Sequence, residues 1–230
     1  MAEPTVSAVV LVYDEEAYIA EAIESVLAQT HRCGEVIVVD NGSTDRSREI
    51  AAAYAPAVTV QVESKRGIGF ARNAGLEAAS GDYLAFLDGD DTWEPRKTEL
   101  QLAACESGER PDLVFGHVRQ LVSPELDPAL AARLKLPERP QPGMYLGAML
   151  APRSTWDRVG PWERGWDVAD GLAWFVRARS LGLREAMLPD VVANRRIHGA
   201  NQSFRNHDKR AEWARLLKAS LDQRRAAGGA

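Results

Sequence analysis

The stretch Gly81–Asp91 reads GDYLAFLDGDD, in which an apolar run, Tyr83–Leu87, leads directly into three acidic residues. A short apolar run bounded by polar residues predicts a buried strand. The carboxylates of Asp88, Asp90 and Asp91 must reach solvent or a cation, because burying a lone charge is costly. Oxygen ligands favour Mg²⁺ or Mn²⁺, which bind few carboxylates and complete their shell with water and phosphates. The stretch therefore predicts a strand that ends at a metal site with a phosphate-bearing partner.

Strands and helices alternate on both sides of this stretch, which indicates an α/β fold with a mostly parallel sheet flanked by helices. Val6–Val12 is a nearly continuous aliphatic run, as expected for a strand buried on both faces. Two more strands are predicted at Glu35–Val39 and Val58–Val62. The first predicted helix has the acids Asp14, Glu15 and Glu16 near its N-terminus and one apolar face made by Ile19, Ile23, Val26 and Leu27. The other predicted helices run from about Ser43 to Tyr54, from Gly67 to Ala79 and onward from Pro95.

Open parallel sheets bind ligands outside the carboxyl ends of their strands. In this chain those ends carry one aromatic residue and four acids, namely Tyr13, Asp14, Asp40, Glu63 and Asp88. We expect these side chains to converge on one rim of the sheet. For Asp14, Asp40 and Glu63 the alternative is equally open, because loop acids often only cap a helix or stay solvated.

Composition limits the classes of function. The chain has 230 residues, 45% hydrophobic and 27% charged, which suits one domain with a sizeable core. The net charge of −5 argues against a nucleic-acid partner, since non-specific nucleic-acid binding needs a basic face. Cys33 and Cys105 have no metal-ligand spacing, so a reduced, cytoplasmic setting is expected. No apolar run approaches the roughly 20 residues of a membrane span, so we expect a soluble protein.

Five motifs carry a resemblance to a known family. In order along the chain they are VLVYDEE at Val10–Glu16, SVLAQT at Ser25–Thr30, VIVVDNGSTD at Val36–Asp45, ARNAG at Ala71–Gly75 and FLDGDD at Phe86–Asp91. Their order and spacing resemble family 2 glycosyltransferases, and the likeness covers the first 105 residues closely. It implies a GT-A fold, with a nucleotide-sugar-binding half at 1–105, an acceptor-binding half of the same domain at 106–205, and a C-terminal helix and tail at 206–230.

The resemblance also implies roles for residues on the donor side. Tyr13 would stack on the nucleotide base and Asp40 would accept its ring N–H, while Arg66 or Arg72 would contact base or phosphate. The full set implied for nucleotide binding is Val12, Tyr13, Glu15, Asp40, Arg66, Arg72, Asp88 and Gly89. The resemblance implies a Mn²⁺ or Mg²⁺ ion bound by Asp90, with His198 completing the metal shell or contacting the diphosphate. Arg196 would help to neutralise the leaving group.

The second half is expected to supply the acceptor site and the base. Relatives usually carry Glu-Asp before an apolar helix, and by this resemblance Asp170 would be the catalytic base, although Ala169 replaces the usual Glu and Asp167 could substitute for it. The alternative for Asp170 is a helix N-cap. Trp162 and Trp166 lie among glycines and charges and are candidates for contact with the acceptor, whereas Trp174 is expected in the core.

The rest of the second half predicts mainly structure. A strand is expected at Leu113–Val122, then a proline-rich acceptor-side loop with a short helix near Ala129–Leu134, and a strand at Met144–Ala151. Asp208–Arg225 predicts a helix with an apolar and a basic face. Packing of that helix on its own domain is favoured, and peripheral contact with an anionic membrane is the alternative.

Together these features predict an inverting, metal-dependent glycosyltransferase that moves a sugar from a nucleotide diphosphate sugar, with UDP-sugars favoured, to an unidentified saccharide, lipid carrier, small molecule or peptide. One alternative is a non-catalytic module that binds nucleotide sugars, which the retained Asp88, Asp90 and Asp170 disfavour. The other is a sugar-1-phosphate nucleotidyltransferase. Such enzymes open with a basic, glycine-rich loop after the first strand, unlike the Tyr13–Glu15 segment of this chain.

Overall fold

The fold was analysed in a computed structural model, which describes residues 3–134, 136–163, 170–199 and 201. The first half forms four parallel strands. They are β1 (Val6–Val12), β2 (Glu35–Asp40), β3 (Thr59–Val62) and β4 (Tyr83–Asp88), in the spatial order β3-β2-β1-β4. The register pairs Val12 with Asp40 and Leu11 with Asp88, so the carboxyl ends of the three central strands are level.

The second half extends this sheet beyond β4. Its strands are β5 (Thr92–Trp93), β6 (Leu113–Val122), β7 (Gln141–Pro142), β8 (Met149–Pro152) and β9 (Glu185–Ile197). The sheet continues from β4 in the order β8-β6-β9-β5, and β7 pairs with β6. β8 is antiparallel to its neighbours, whereas β6 and β9 run parallel over most of their length. The α/β class and the mostly parallel sheet are thus confirmed.

Helices cover both faces of the sheet. They are α1 (Ile19–Leu27), α2 (Ser47–Ala52), α3 (Ile68–Ala78), α4 (Lys97–Cys105), α5 (Pro128–Arg133), α6 (Arg153–Val159) and α7 (Asp170–Ser180). All seven residues of β1 are buried, because its side chains alternate between the two faces of a sheet that is covered on both sides. One core cluster lies under α1 and α4, and the other lies under α3, α6 and α7.

The second core cluster is rich in aromatic rings. Trp156, Trp162 and Trp174 pack on one another and on Phe86 of β4, with ring centroids 4.8 to 5.7 Å apart. α3 approaches the sheet closely at Gly75, where a Cβ atom would lie 2.4 Å from Val9 Cγ1. A glycine there allows helix and strand to pack at that distance.

Several predicted elements need correction. The strand expected at Met144–Ala151 is instead a 3₁₀ turn, Leu146–Ala148, followed by β8. The second helix begins at Ser47, several residues later than expected, because the loop before it pairs with the loop after β1. β9 was not predicted as a strand. The helix expected at Asp208–Arg225 and residue Trp166 lie outside the described residues, and the division at 105 and 106 stays a prediction.

Candidate functional site

A cavity of about 740 Å³ opens at the carboxyl ends of the central strands. One wall comes from the first half of the chain, through residues that follow β1, β2 and β4 and the start of α3. The opposite wall comes from β6, β7, β9 and the segment before the 3₁₀ turn. The predicted site residues in the lining are Val12, Tyr13, Glu15, Arg66, Arg72, Asp88 and Asp90. Of the strand-end rim expected from the sequence, Tyr13 and Asp88 line this cavity, whereas Asp14, Asp40 and Glu63 are not among its lining residues.

Tyr13 and Arg66 form a pair on the first wall. The guanidinium carbon of Arg66 lies 4.8 Å from the centroid of the Tyr13 ring, within the range of a cation–π contact. Both side chains line the cavity. A flat base has the shape to bind against this ring and cation, so their placement agrees with the roles that the sequence suggested.

Asn41 organises the loop that carries Arg66. Its Nδ2 donates to the carbonyl oxygens of Glu63 and Lys65, at 3.2 and 2.8 Å, and its Oδ1 accepts from the Gly67 N–H at 2.9 Å. Asn41 also lines the cavity. Asn41 was not among the predicted site residues. Nothing in the sequence shows that an amide here, with two donors and an acceptor, matches three backbone groups of the loop.

The structure corrects the expectation for Asp40. Its carboxylate is fully buried; Oδ1 accepts from the Ser43 N–H at 3.0 Å and Oδ2 from Arg48 Nε at 2.8 Å. Asp40 does not line the described cavity, and its neighbour Asn41 does. Its observed role is to hold the turn after β2, so an additional contact with a base N–H has no support from this geometry.

Asp14 and Glu63 also hold loops. Asp14 has a positive φ of 53°, and its Oδ1 accepts from the backbone N–H and hydroxyl of Thr44 at 2.7 and 3.1 Å. The Thr44 N–H bond is the main cause that lowers the pKa of Asp14. Glu63 Oε1 accepts from the Lys65 N–H at 2.7 Å. Asp14 and Glu63 therefore have a structural role in their loops, and neither is among the residues that line the cavity.

Asp88, Gly89 and Asp90 turn the chain sharply at the end of β4. The Gly89 N–H donates to the carbonyl oxygen of Leu11 at 2.8 Å. A Cβ on Gly89 would lie 2.3 Å from Glu15 Oε2 and 2.9 Å from the Leu11 carbonyl oxygen, so only glycine fits. Gly89 thus lies behind the cavity wall, and it lets Asp88 and Asp90 face the cavity on either side of it.

Glu15 brings another acid against this turn. Its Oε2 is buried and has no hydrogen-bond partner among the described residues. Burial raises the pKa of Glu15 well above its usual range, and the negative charges of Asp90 and Asp88 raise it further. Glu15 thus lies beside two partly buried carboxylates, those of Asp88 and Asp90, and burial favours its protonated form.

Asp91 does not face solvent, contrary to the expectation for the acidic triplet. It is only 3% exposed; Oδ1 accepts from the Arg196 N–H at 2.8 Å and Oδ2 from the Tyr145 hydroxyl at 3.3 Å. Burial raises its pKa well above the usual range, with the charges of Asp90 and Asp88 adding to the effect. Asp91 joins the turn after β4 to β9.

Asp90 is held by the segment that follows β9. Its Oδ2 contacts His198 Nε2 at 2.9 Å and accepts from Asn201 Nδ2 at 3.0 Å. The imidazole is 7% exposed and packs against Tyr18, with ring centroids 4.9 Å apart. His198 therefore lies where the sequence suggested, beside Asp90. Asn201, which was not among the predicted site residues, also lines the cavity.

The residues at the turn fit a hard divalent cation. Asp88 and Asp90 present carboxylate oxygens to the cavity, and in the described part of the chain Oδ1 of Asp90 makes no hydrogen bond. No three His, Cys, Asp or Glu side chains in that part converge as a complete metal site. Mg²⁺ and Mn²⁺ do not need one, because they bind through one or two carboxylates and take the remaining ligands from water and phosphate.

Trp162 is not at the surface, contrary to expectation. It is 2% exposed, its backbone exchanges hydrogen bonds with the Asn73 side chain, and its ring stacks on Trp174 at 5.7 Å. Arg72, which lines the cavity, lies over its other side at 5.9 Å. Trp162 thus supports the cavity wall from behind, and Trp174 is in the core as expected.

Asp170 is the first residue of α7, so the predicted helix is present. The start of this helix lies near the cavity, because a Cβ on Gly171 would be 3.6 Å from Arg72 Nη1. The side chain of Asp170 and the candidate Asp167 lie outside the described part, and the role of base stays a prediction.

Arg196, which was expected to help neutralise the leaving group, is not among the residues that line the cavity. Arg196 Nε donates to the Asp90 carbonyl oxygen at 3.0 Å, and Nη2 donates to Glu21 Oε2 at 2.5 Å. Its guanidinium is thus bound outside the cavity, on the face of β9 that packs against Tyr18. Arg195, which was given no role, lines the cavity.

Solved structures share this architecture. The chain superimposes on S. aureus TarS 1-349 in complex with UDP-GlcNAc with a TM-score of 0.67 at 20% identity, over 86% of this chain and 60% of that one. A structure of S. aureus TarS covers 85% of this chain and 37% of that one at 18% identity, with a TM-score of 0.67. The expected GT-A fold is confirmed, and it defines the class of the domain.

Sequence comparison narrows the class to a family. Residues 7–142 match the model for Glycosyl transferase family 2. The putative glycosyltransferase EpsH of Bacillus subtilis is 41% identical over 118 residues, covering 50% of this chain and 34% of the relative. The putative teichuronic acid biosynthesis glycosyltransferase TuaG of the same organism is 41% identical over 104 residues, covering 44% of this chain and 41% of the relative. The chain belongs to glycosyl transferase family 2.

The chain spans about a third of the length of the first curated relatives that it matches, including 30% of the uncharacterised glycosyltransferase alr2836 of Nostoc. Among the described residues, no helix is long and apolar enough to cross a membrane.

Proposed function

We propose that this chain is an inverting, metal-dependent glycosyltransferase that transfers a sugar from a nucleotide diphosphate sugar, first of all a UDP-sugar. One observation carries the proposal: the Tyr13–Arg66 pair and the Asp88 and Asp90 carboxylates line the same cavity at the ends of the parallel strands. The Tyr13–Arg66 pair suits a nucleotide base, and the Asp88 and Asp90 carboxylates suit a cation that binds a diphosphate. TarS, a structural neighbour, has been crystallised with UDP-GlcNAc and with UDP, which makes uridine the first base to test.

The residues of the site have distinct tasks in this proposal. Asp88 and Asp90 would hold Mn²⁺ or Mg²⁺, and His198 and Asn201 orient Asp90 for that task. A bound cation would stabilise the charge that develops on the departing diphosphate. Asn41 holds the loop that carries Arg66, which would place the guanidinium beside the nucleotide base.

Transfer breaks the C–O bond between the anomeric carbon and the diphosphate and forms a C–O bond to the acceptor hydroxyl. A single displacement from the opposite face inverts the anomeric centre. The attacking hydroxyl must lose its proton, and Asp170 at the start of α7 would accept it. General-base catalysis of this kind contributes typically about 10²–10⁴-fold.

Calorimetry tests the donor site. UDP, GDP, ADP, CDP and TDP are titrated into the wild-type protein with and without Mn²⁺, and into Asp90→Asn. One diphosphate is expected to bind with Mn²⁺ and to lose about tenfold or more in affinity without it or in Asp90→Asn. Asp157→Asn is the matched control, because Asp157 is exposed on α6 and is absent from the described cavity lining. Equal binding by wild type and Asp90→Asn would refute the metal role of Asp90.

A further inference from the structure

Three polar side chains stand on the cavity wall opposite the proposed donor site. Gln120 of β6 is the register partner of Arg195 of β9, and Gln141 of β7 pairs with Val118 of β6. Register partners on adjacent strands present their side chains to the same face of a sheet. Accordingly Gln120, Gln141, Val118 and Arg195 all line the cavity. Gln120, Gln141 and Arg195 are called the polar wall below.

Arg195 supplies the charge of the polar wall. In the described part of the chain its guanidinium has no hydrogen-bond or ion-pair partner, in contrast to Arg196, which binds Glu21 and the Asp90 carbonyl oxygen. Arg195 is half-buried, so part of its hydration has been removed. Its positive charge also acts on Asp91 and Tyr145, lowering their pKa values against the stronger effect of burial.

The polar wall is well separated in the fold from the residues proposed to hold the donor. Tyr13, Arg66 and Asn41 follow strands of the first half, whereas the polar wall belongs to β6, β7 and β9 across the cavity. The acidic turn at Asp88 and Asp90 lies between them, because β4 is central in the sheet. A sugar donor held by the first wall would thus leave its reacting end facing the second.

A guanidinium next to an amide has a chemical preference. It offers five N–H donors in a planar fork that matches the oxygens of a carboxylate or phosphate, and the Gln120 amide on the neighbouring strand can donate or accept beside it. Gln141 lies farther along the same wall, on the other side of β6. Neutral hydroxyl groups gain less from the guanidinium, because they carry no negative charge to attract it and no pair of oxygens that matches its fork. A half-buried guanidinium is therefore best matched by an anion.

On this geometry, and resting on the proposed function, we propose that the polar wall binds an anionic group of the acceptor through Arg195, with Gln120 next to it on β6 and Gln141 farther along the same wall on β7. The acceptor would accordingly be an acidic saccharide, in which the anion is a carboxylate or a phosphate. The two groups share the recognition chemistry, and separate probes distinguish them.

Saturation-transfer NMR tests the inference on the full chain with UDP and Mn²⁺ present. The probes are methyl glucoside, methyl glucuronoside and glucose 6-phosphate. At least one anionic probe is expected to bind about tenfold or more tightly than methyl glucoside. Arg195→Gln is expected to abolish that preference, and Arg195→Lys to retain part of it. Arg119→Gln is the control, because Arg119 is exposed on β6, pairs with Glu94 and is absent from the described lining.

Each other outcome overturns the inference. Equal binding of neutral and anionic probes would show that the polar wall selects no anion. The same conclusion would follow if no anionic probe binds at concentrations up to about 20 mM, at which a binding free energy of only ~2 kcal/mol is still detected. An unchanged preference in Arg195→Gln would place the anion site elsewhere. Weaker UDP binding by Arg195→Gln would assign Arg195 to the donor phosphates. If the wild-type protein does not bind UDP at all, the proposed function is refuted. The comparison of anionic and neutral probes still tests the polar wall in that case.

Discussion

Lys97 is the most deeply buried cation in the described part of the chain, and it makes stability depend on pH. Its side chain is fully buried; Nζ donates to Gln101 Oε1 at 2.6 Å and to the Met149 carbonyl oxygen at 3.1 Å, and lies 4.4 Å from the centroid of the Trp93 ring. None of these partners is a carboxylate. Burial accordingly lowers the pKa of Lys97 from 10.5 to about 7, although Cys33 and Cys105 oppose this change.

The sign of the pH dependence follows from the proton count. Between pH 7 and pH 10.5 the unfolded chain keeps a proton on Lys97 that the folded chain has largely lost, so the stability rises with pH. Below pH 7 Lys97 is charged in both the folded and the unfolded chain, and the full free-energy cost of burying that charge destabilises the folded chain. At about 1.4 kcal/mol per pKa unit, the whole effect is about 5 kcal/mol, of which about 2 kcal/mol falls between pH 7 and pH 9.

Urea unfolding of wild type and Lys97→Met at pH 7, 8 and 9 measures this effect as a difference. The difference cancels other groups, such as Cys33 and Cys105, whose pKa values burial raises to about 11 and 12. Wild type is expected to gain about 2 kcal/mol relative to Lys97→Met from pH 7 to pH 9. Lys65→Met, at an exposed lysine, is expected to show no such trend. A difference that stays constant within about 0.5 kcal/mol would refute the burial of an uncompensated amine.

Three further substitutions test the fold by denaturation. Trp162→Ala is expected to cost about 3–5 kcal/mol, because it empties a site that is 2% exposed, and a loss under 1 kcal/mol would contradict that packing. Gly75→Val is expected to cost about 2 kcal/mol or more, since its Cβ would lie 2.4 Å from Val9 Cγ1; no recovery in the double variant with Val9→Ala would exclude this contact as the cause. Arg48→Met is expected to lower the free energy of unfolding by roughly 1–3 kcal/mol, because it leaves the buried Asp40 carboxylate without its Arg48 Nε donor. Adding Asp40→Asn to Arg48→Met should lower that free energy little further.

The first half of the fold was predictable because its local and long-range signals agree. β1 was predicted at its observed bounds, and the other three strands within one residue at either end. For β1, β2 and β4 the reason is burial on both faces, which makes such strands apolar along almost their whole length, whereas β3 is a partly exposed edge strand. β9 could not be found in this way. It is 13 residues long but only its later part is well buried, and its sequence, EAMLPDVVANRRI, includes a proline and four charged residues. Its place depends on pairing with β6, far away in sequence.

Individual acids at the strand ends could not be placed from the sequence alone. Asp40 and Asp88 end β2 and β4, the two neighbours of β1, yet Asp40 turns inward to Arg48 and Asp88 lines the cavity. The difference arises because Arg48 is the second residue of α2, at a position that only the folded loop brings back to the strand end. Asp91 is a similar case, since its burial depends on Tyr145 and on the backbone of β9.

The two walls of the cavity differ in how sequence can reveal them. On the first wall, glycines and polar side chains satisfy specific backbone groups, as Gly89 does against Leu11 and Asn41 does for the Arg66 loop, so the residue types are constrained and form motifs. On the second wall, Gln120 and Arg195 lie two residues before the ends of β6 and β9, where the strand ladder pairs the backbone whatever the side chain is. Such positions can change without disturbing the fold. A family can therefore keep its donor motifs while the opposite wall varies, and that wall is where the specificity of this chain for an acceptor is best sought.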